Sequence, residues 1–201
     1  MNTNHVYLVD DNNSVRKSLS RLIEHSGYKV HSFENANIFL KNEKIEDNSI
    51  FIFDVRMPDM SGVELQINII KKLSYHPVIF ISGESDSKEI IEAFKNGAVD
   101  FILKPFDFVV IEKSIKKAFN LLSKYISEKI LKDLTISNLS KLTPRESEVL
   151  NLMINGLRLK EIANQLGISV STIKIHKSRI LEKMQSKSIV KIAKLIEMSK
   201  L

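Results

Sequence analysis

Ile50-Phe51-Ile52-Phe53 is an unbroken run of aromatic and β-branched residues, and Asp54 ends it. Such a run suits a strand covered on both faces, the usual condition of a parallel sheet. Pro58 and Gly62 then punctuate a loop. In open parallel sheets ligands bind at the carboxyl ends of the strands, so an ionisable residue at that end is placed for chemistry. Within this stretch alone, an aspartate that merely caps a turn would look the same.

The pattern recurs. His5 to Val9 ends in Asp10-Asp11, Pro77 to Ile81 ends at Ser82-Gly83, and Val99 to Leu103 ends at Lys104-Pro105, with a weaker strand at Val30 to Phe33. Between these runs the apolar spacing is helical: Ser14 to Ser26 before Gly27, Ala36 to Leu40, Val63 to Leu73, Ser87 to Asn96 before Gly97, and a fifth helix from Phe108. Five alternating strands and helices imply an α/β fold with a five-stranded parallel sheet. Its strands end on one edge, so Asp10, Asp11, Asp54, Ser82 and Lys104 are expected to converge there. Three adjacent carboxylates raise one another's pKa and call for a cation. Oxygen ligands with retained waters suit Mg2+. A lysine ammonium and a serine hydroxyl suit the remaining oxygens of a phosphoryl group. Asp54, alone on the central strand, is the candidate nucleophile.

With 201 residues there is room for one large or two small domains. The absence of cysteine excludes disulfides, thiolate–zinc sites and thiol chemistry. No apolar run approaches the ~20 residues of a membrane span, and the polar start from Met1 to Leu8 does not read as a signal peptide. The expectation is a cytoplasmic protein with no membrane partner. Net charge is −2 over residues 1–121, +1 over 122–138 and +7 over 139–201, which gives the chain's +6. A basic C-terminal third points to a polyanion, nucleic acid first; a solvated lysine-rich surface is the plainer alternative.

Strand signals cease by Leu121 and a helix restarts at Leu142-Thr143-Pro144-Arg145-Glu146, which suggests a domain over 1–121, a linker over 122–138 and a second domain over 139–201. From Phe108 to about Leu134, Ile111, Ile115, Ala118, Leu122, Tyr125 or Ile126, Ile130 and Leu134 recur near a 3.5-residue spacing with no Gly or Pro. That reads as a continuation of the fifth helix, with a dimerising seam as one use and a kinked linker as the alternative. The tail reads as four helices: Pro144 to Asn155 with Thr143 as N-cap, Leu159 to Leu166 stopped by Gly167, Val170 or Ser171 to about Gln185 with Ser169 as N-cap, and Ile189 to Ser199. The central pair forms a helix-turn-helix pattern. Leu159, Ile162, Ala163, Leu166, Val170, Ile173, Ile180, Leu181 and Met184 would face inward, leaving Ser171, Thr172, Lys174, Ile175, Lys177 and Ser178 for phosphates and base edges. A helical domain that docks proteins could show the same pattern, although less readily with a basic face. His5, His25, His31 and His76 lack ligand-like spacing and read as surface residues, and Asp59 reads as the cap of the turn after it.

Tyr7-Leu8-Val9-Asp10-Asp11, Phe53-Asp54-Val55-Arg56-Met57-Pro58-Asp59-Met60-Ser61-Gly62, Ile81-Ser82-Gly83 and Gly97-Ala98-Val99-Asp100-Phe101-Ile102-Leu103-Lys104-Pro105-Phe106, in that order, resemble the receiver domain of two-component response regulators. The resemblance implies a flavodoxin-like (βα)5 fold with strand order 2-1-3-4-5. It implies that Asp54 takes phosphate from a sensor histidine kinase, that Asp10, Asp11, Asp54 and the Arg56 backbone carbonyl hold Mg2+, and that Ser82 and Lys104 bind the phosphoryl oxygens. Phe101 stands at the aromatic switch position, often tyrosine in that family, and lacks the hydroxyl. Leu142-Thr143-Pro144-Arg145-Glu146 through Val149-Leu150, then Gly156, Lys160-Glu161-Ile162-Ala163, Leu166-Gly167-Ile168-Ser169, Thr172-Ile173-Lys174-Ile175-His176 and Lys183-Met184, resemble the LuxR/GerE-type DNA-binding domain. The pairing is most similar to the FixJ-like subgroup of NarL/FixJ response regulators. By that resemblance the helix from Val170 enters the major groove, Lys174, Ile175 and Ser178 read base edges, and Lys177 and Arg179 contact phosphates. The implied function is transcription regulation through phosphorylation, homodimerisation and binding of duplex DNA, with RNA polymerase as a candidate further contact. No enzyme activity is expected beyond self-catalysed phosphotransfer and dephosphorylation. The competing reading is a phosphotransfer or protein-docking regulator whose tail binds proteins.

Overall fold

The apolar runs become strands β1 (His5–Val9), β2 (Lys29–Phe33), β3 (Ser49–Asp54), β4 (Val78–Ser82) and β5 (Asp100–Leu103) in a computed structural model that describes residues 3–42, 44–73, 75–84 and 86–200. All pairings are parallel and the order is β2-β1-β3-β4-β5, the flavodoxin-like order. Every residue of β1, β3 and β4 is buried, which is why these three runs carry no polar alternation. In register, Val9 lies beside Phe53 and Asp54 beside Ile81, so β1, β3 and β4 end close together.

Helices α1 (Asn13–His25), α2 (Ala36–Leu40), α3 (Gly62–Leu73) and α4 (Ser87–Lys95) alternate with the strands. Their starts are set by caps: Asn12 accepts from the N–H groups of Ser14 and Val15, and Asp86 and Glu89 form a reciprocal box at α4. Ser61 and Glu64 form the same reciprocal arrangement at α3. Asp59 takes a positive φ of 69°. Gly62 begins α3 against the strand that carries Asp54. A Cβ at this position would stand 2.2 Å from the Asp54 carbonyl oxygen, so only glycine allows the approach. One face of the sheet is largely aromatic: Tyr7, Phe51, Phe53 and Phe80 pack with Phe39 of α2, Leu65 and Ile69 of α3 and Ala93 of α4.

Helix α5 runs from Phe108 to Leu139 without a break. Ile111, Ile115, Ala118 and Leu122 are buried, and Phe119 stacks on Tyr28 with centroids 5.2 Å apart. These four are therefore not a free dimerising seam, since a 3.5-residue spacing records a buried face without naming its partner. The chain divides into two compact units between Tyr125 and Ile126; Leu122 is buried and Tyr125 stacks on Tyr75. His25 is exposed as expected, whereas two other histidines depart from expectation. His5 and His76 are buried; His76 Nδ1 lies 3.0 Å from the Ser49 carbonyl oxygen, and His5 stacks on His31 at 5.2 Å. Burial pushes the pKa values of His76 and His31 down. Among the described residues, no helix is long and apolar enough to cross a membrane.

The second unit contains α6 (Pro144–Ile154), α7 (Leu159–Leu166), α8 (Val170–Lys183) and α9 (Ile189–Lys200) around Val149, Leu150, Ile162, Ala163, Ile173, Ile180, Met184 and Ile192. Gly167 ends α7 in the left-handed region at φ 64°, which allows the short turn into α8, whose N-cap is Ser169. Glu146, only 2% exposed, accepts from the Thr143 backbone N–H at 2.8 Å and from Lys183 Nζ at 2.6 Å. It ties the start of α6 to the end of α8. The Lys183 ammonium first, and then the Thr143 N–H, hold its carboxyl down to about 2. We expect Glu146→Gln to cost about 1.5–3 kcal/mol at neutral pH, the value of charged hydrogen bonds. Because the folded pKa is depressed, the stabilisation is present above the unfolded value and lost as pH falls from the ordinary carboxylate range toward 2. Urea unfolding followed by helical circular dichroism should separate the two proteins at pH 7 and bring them together in acid. Coincident midpoints at pH 7 would remove the assigned role.

Candidate functional site

At the carboxyl edge of the sheet, β1 delivers Asp10 and Asp11, β3 delivers Asp54, and β5 leads into Lys104. Asp10 is fully buried and Asp54 is 6% exposed, while Asp11 is open to solvent. Ligand oxygens of the three aspartates lie within 4.8 Å of one another. Lys104 Nζ donates to Asp10 Oδ2 at 2.8 Å and to Asp54 Oδ2 at 3.1 Å. The Asn12 N–H donates to Asp10 Oδ1 at 2.8 Å, and Arg16 Nη1 donates to the Asp10 carbonyl oxygen at 2.7 Å, so Asp10 is held from both ends.

Burial is the largest influence on Asp54 and raises its pKa; Lys104 opposes this, and the Asp10 and Asp11 charges add to it. For Lys104 burial works against the ammonium, but hydrogen bonds and charge from Asp10 and Asp54 outweigh it and hold the pKa above the ordinary lysine value. One ammonium does not balance three carboxylates. The oxygen-only donor set and the residual negative charge fit a divalent cation.

Asp11, Asn12, Val15, Asp54, Arg56, Gly83, Glu84 and Lys104 line the cleft. Arg56 and Glu84 form an exposed ion pair at 3.6 Å on its rim, a contact of small energetic weight. Ser82 is buried at the end of β4, and its hydroxyl donates to the Glu84 carbonyl oxygen at 2.7 Å. Phe101 lies opposite Phe80 in the sheet register, with ring centroids 5.9 Å apart. Asp10, Asp11, Asp54 and Lys104 are thus together, whereas the Ser82 hydroxyl is on a loop carbonyl. Sequence reasoning missed the support from Asn12 and Arg16. The Asn12 N-cap had a local signal in an Asn preceding a helix; Arg16 had none.

On α8, Ser171, Lys174, Ile175 and Ser178 are exposed at i, i+3, i+4 and i+7, the spacing of one helix face. Arg179 is exposed beside them, while Thr172 and Lys177 are half-buried at the flanks. The Ser169 hydroxyl lies 2.6 Å from Ser171 Oγ and 2.8 Å from Thr172 Oγ1, so both hydroxyls are bound into the N-cap. Arg145 Nη2 donates to the Leu166 carbonyl oxygen at 2.8 Å and closes the end of α7, another support not seen in the sequence.

Two family descriptions match the chain: the response regulator receiver domain over residues 6–116, and the luxR family of bacterial regulatory proteins over residues 140–196. Identity to the transcriptional regulatory protein FixJ of Rhizobium meliloti (strain 1021) is 38% over 185 residues, 92% of this chain and 90% of that protein. Identity to the response regulator protein TodT of Pseudomonas putida is 34% over 192 residues, 96% and 85% of the two chains. Among solved structures, the response regulator StyR matches with a TM-score of 0.83 at 34% identity, covering 98% of this chain and 99% of that one.

Proposed function

Because this chain belongs to the two-component response regulators that join a receiver domain to a LuxR-family DNA-binding domain, we propose that Asp54 accepts a phosphoryl group from a sensor histidine kinase, and that this group controls dimerisation and sequence-specific binding to duplex DNA. The chain is a transcription regulator by family, and not an enzyme with a separate substrate. The observation that carries the reading is Lys104 Nζ shared between Asp10 and Asp54 at the mouth of the buried acidic cleft.

In the transfer, an Asp54 carboxylate oxygen bonds to phosphorus as the bond to the kinase's histidine nitrogen breaks; with the other ring nitrogen already protonated, neutral imidazole leaves. Asp10, Asp11, Asp54 and the Arg56 backbone carbonyl would hold Mg2+, which supplies neutralising charge for the phosphoryl oxygens. The Lys104 ammonium shifts from carboxylate to phosphoryl oxygen, a charge-assisted hydrogen bond in both positions. Ser82 exchanges the Glu84 carbonyl for another phosphoryl oxygen. Phe101 can then move toward the space Ser82 leaves, by ring packing alone because it has no hydroxyl.

In the tail, α8 occupies the major groove. Lys174, Ile175 and Ser178 reach base edges; Lys177 and Arg179 meet phosphates, with Ser171 and Thr172 at the helix start. Full-length protein should bind duplex DNA with an affinity that falls steeply with salt, because phosphate contacts release counterions. Lys177→Ala should weaken binding to all sequences and reduce the salt slope by about 1, whereas Lys174→Ala should also relax preference at one position, at a cost of roughly 1–3 kcal/mol. Titrations of a labelled duplex at several salt concentrations measure both. A protein with no duplex affinity at low salt would instead be a regulator whose tail docks other proteins.

A further inference from the structure

The cleft around Asp54 and the point where α5 leaves the first unit lie at opposite ends of β3 and β4. A continuous row of rings joins them. Phe101 meets Phe80 with centroids 5.9 Å apart, and Phe80 meets Phe53 at 6.3 Å. Phe53 stacks on Phe51 at 5.5 Å, and Phe51 packs on His76 at 5.3 Å. His76 lies 4.1 Å from Tyr75, and Tyr75 stacks on Tyr125 of α5 at 5.3 Å with an interplanar angle of 1°. Phe51, Phe53, Phe80 and His76 are all buried. At the far end the Tyr75 hydroxyl donates to Asp47 Oδ1 at 2.9 Å, and burial with the Asp47 contact pushes its pKa up to about 12. Tyr125 is the last residue of the first unit, in a helix that continues to Leu139.

We infer that this row of rings couples the phosphorylation state of Asp54 to the seating of α5, with the Tyr75–Tyr125 stack as the clasp that responds. The inference rests on the phosphoacceptor reading of Asp54. Cores are packed at crystal-like density, so a displaced Phe101 opens a void unless its neighbours follow. Phe80 and Phe53 sit on central strands whose register allows little independent motion. Rings are also stiff, with two side-chain torsions each, and shift as plates. The place where the row can yield is its end, where Tyr75 lies on a loop and Tyr125 is 42% exposed.

The test is amide hydrogen exchange on the full chain with and without Mg2+ and a small phosphodonor, with phosphate on Asp54 measured by mass in the same samples. In the wild type, phosphorylation should change exchange rates over residues 119–130 by about threefold or more, as a local opening equilibrium shifts. In Tyr75→Leu and Tyr125→Leu that response should vanish, while phosphate uptake and the response around Ser82 and Phe101 persist. Both rings are partly exposed, so neither change threatens the core. Tyr75→Phe keeps the stack, loses the Asp47 bond and should keep the response. A phosphorylated wild type with no change over 119–130 overturns the inference. So does a Tyr75→Leu protein whose response is undiminished, since α5 would then receive the signal by another route. Absence of phosphate uptake in the wild type overturns the reading of Asp54 instead, and this inference with it.

Discussion

Purified protein given Mg2+ and a small phosphodonor should gain one phosphoryl group, stable to acid and labile to base, and Asp54→Asn should gain none. The expectation follows from how the three carboxylates are used. Asp10 is committed on both oxygens, Oδ1 to the Asn12 N–H and Oδ2 to Lys104 Nζ. Asp11 is exposed, outside the strand, and its position suits a metal ligand. Asp54 ends the central strand, faces the cleft, and has the Lys104 ammonium 3.1 Å from one oxygen, ready for charge that develops on a transferred group. Asparagine has nearly the same shape and retains an oxygen that can accept from Lys104, so the fold is kept and only the nucleophile is lost. The contrast is therefore all or none, read by intact mass. Label that persists in Asp54→Asn would remove Asp54 as the principal acceptor. Asp11→Ala should leave the acceptor in place but weaken Mg2+ binding, and unchanged metal affinity in that variant would contradict its assignment.

Convergence of Asp10, Asp11, Asp54 and Lys104 was legible in the sequence because a parallel sheet has a single carboxyl edge. Residues far apart in the chain must meet there once the strands are recognised. The strands themselves were legible because β1, β3 and β4 are covered on both faces, which leaves uninterrupted apolar runs. What pattern alone could not supply was the partner of each face and the direction of each polar group. Ile111, Ile115, Ala118 and Leu122 have the spacing of a seam, yet they are buried in the first unit. His76 looked like a surface histidine because the Ser49 groups that accommodate it lie 27 residues earlier. Ser82 sits where predicted, but its hydroxyl is on the Glu84 carbonyl, a rotamer choice that strand position does not encode. Lys177 and Lys174 look alike in sequence; helix geometry places Lys177 toward the core side and Lys174 on the exposed face.

Phosphorylation should shift the protein from mostly monomer toward dimer and tighten its binding to paired half-sites. The phosphoryl group carries roughly two negative charges and replaces the single charge of the Asp54 carboxylate. Drawing Ser82 and Lys104 toward it alters the ends of β4 and β5, and Phe101 of β5 repacks in response. The elements beside this edge carry exposed apolar side chains: Ile91 and Phe94 on α4, Leu103 on β5, Val109 and Val110 at the start of α5. Ala93 of α4, by contrast, is buried. Solvated apolar side chains in such numbers favour burial against another protein surface. A second copy satisfies that demand if the reshaped face contributes about 800 Å² per partner, the size of a standard specific interface. Dimerisation would then bring a second DNA-binding unit to an effective concentration near millimolar. That can raise paired-site affinity by about 10²–10⁴ without any new DNA contact. Sedimentation with and without phosphodonor reads the mass, and titration of single against paired half-sites reads the affinity. Val109→Asp should leave phosphate uptake intact while abolishing both effects, since a charge at the centre of an apolar interface must be desolvated without a partner. If phosphorylated protein keeps the monomer mass and gains no affinity for paired sites, dimerisation through this face is wrong, and the exposed side chains on α4, β5 and α5 must serve a different partner.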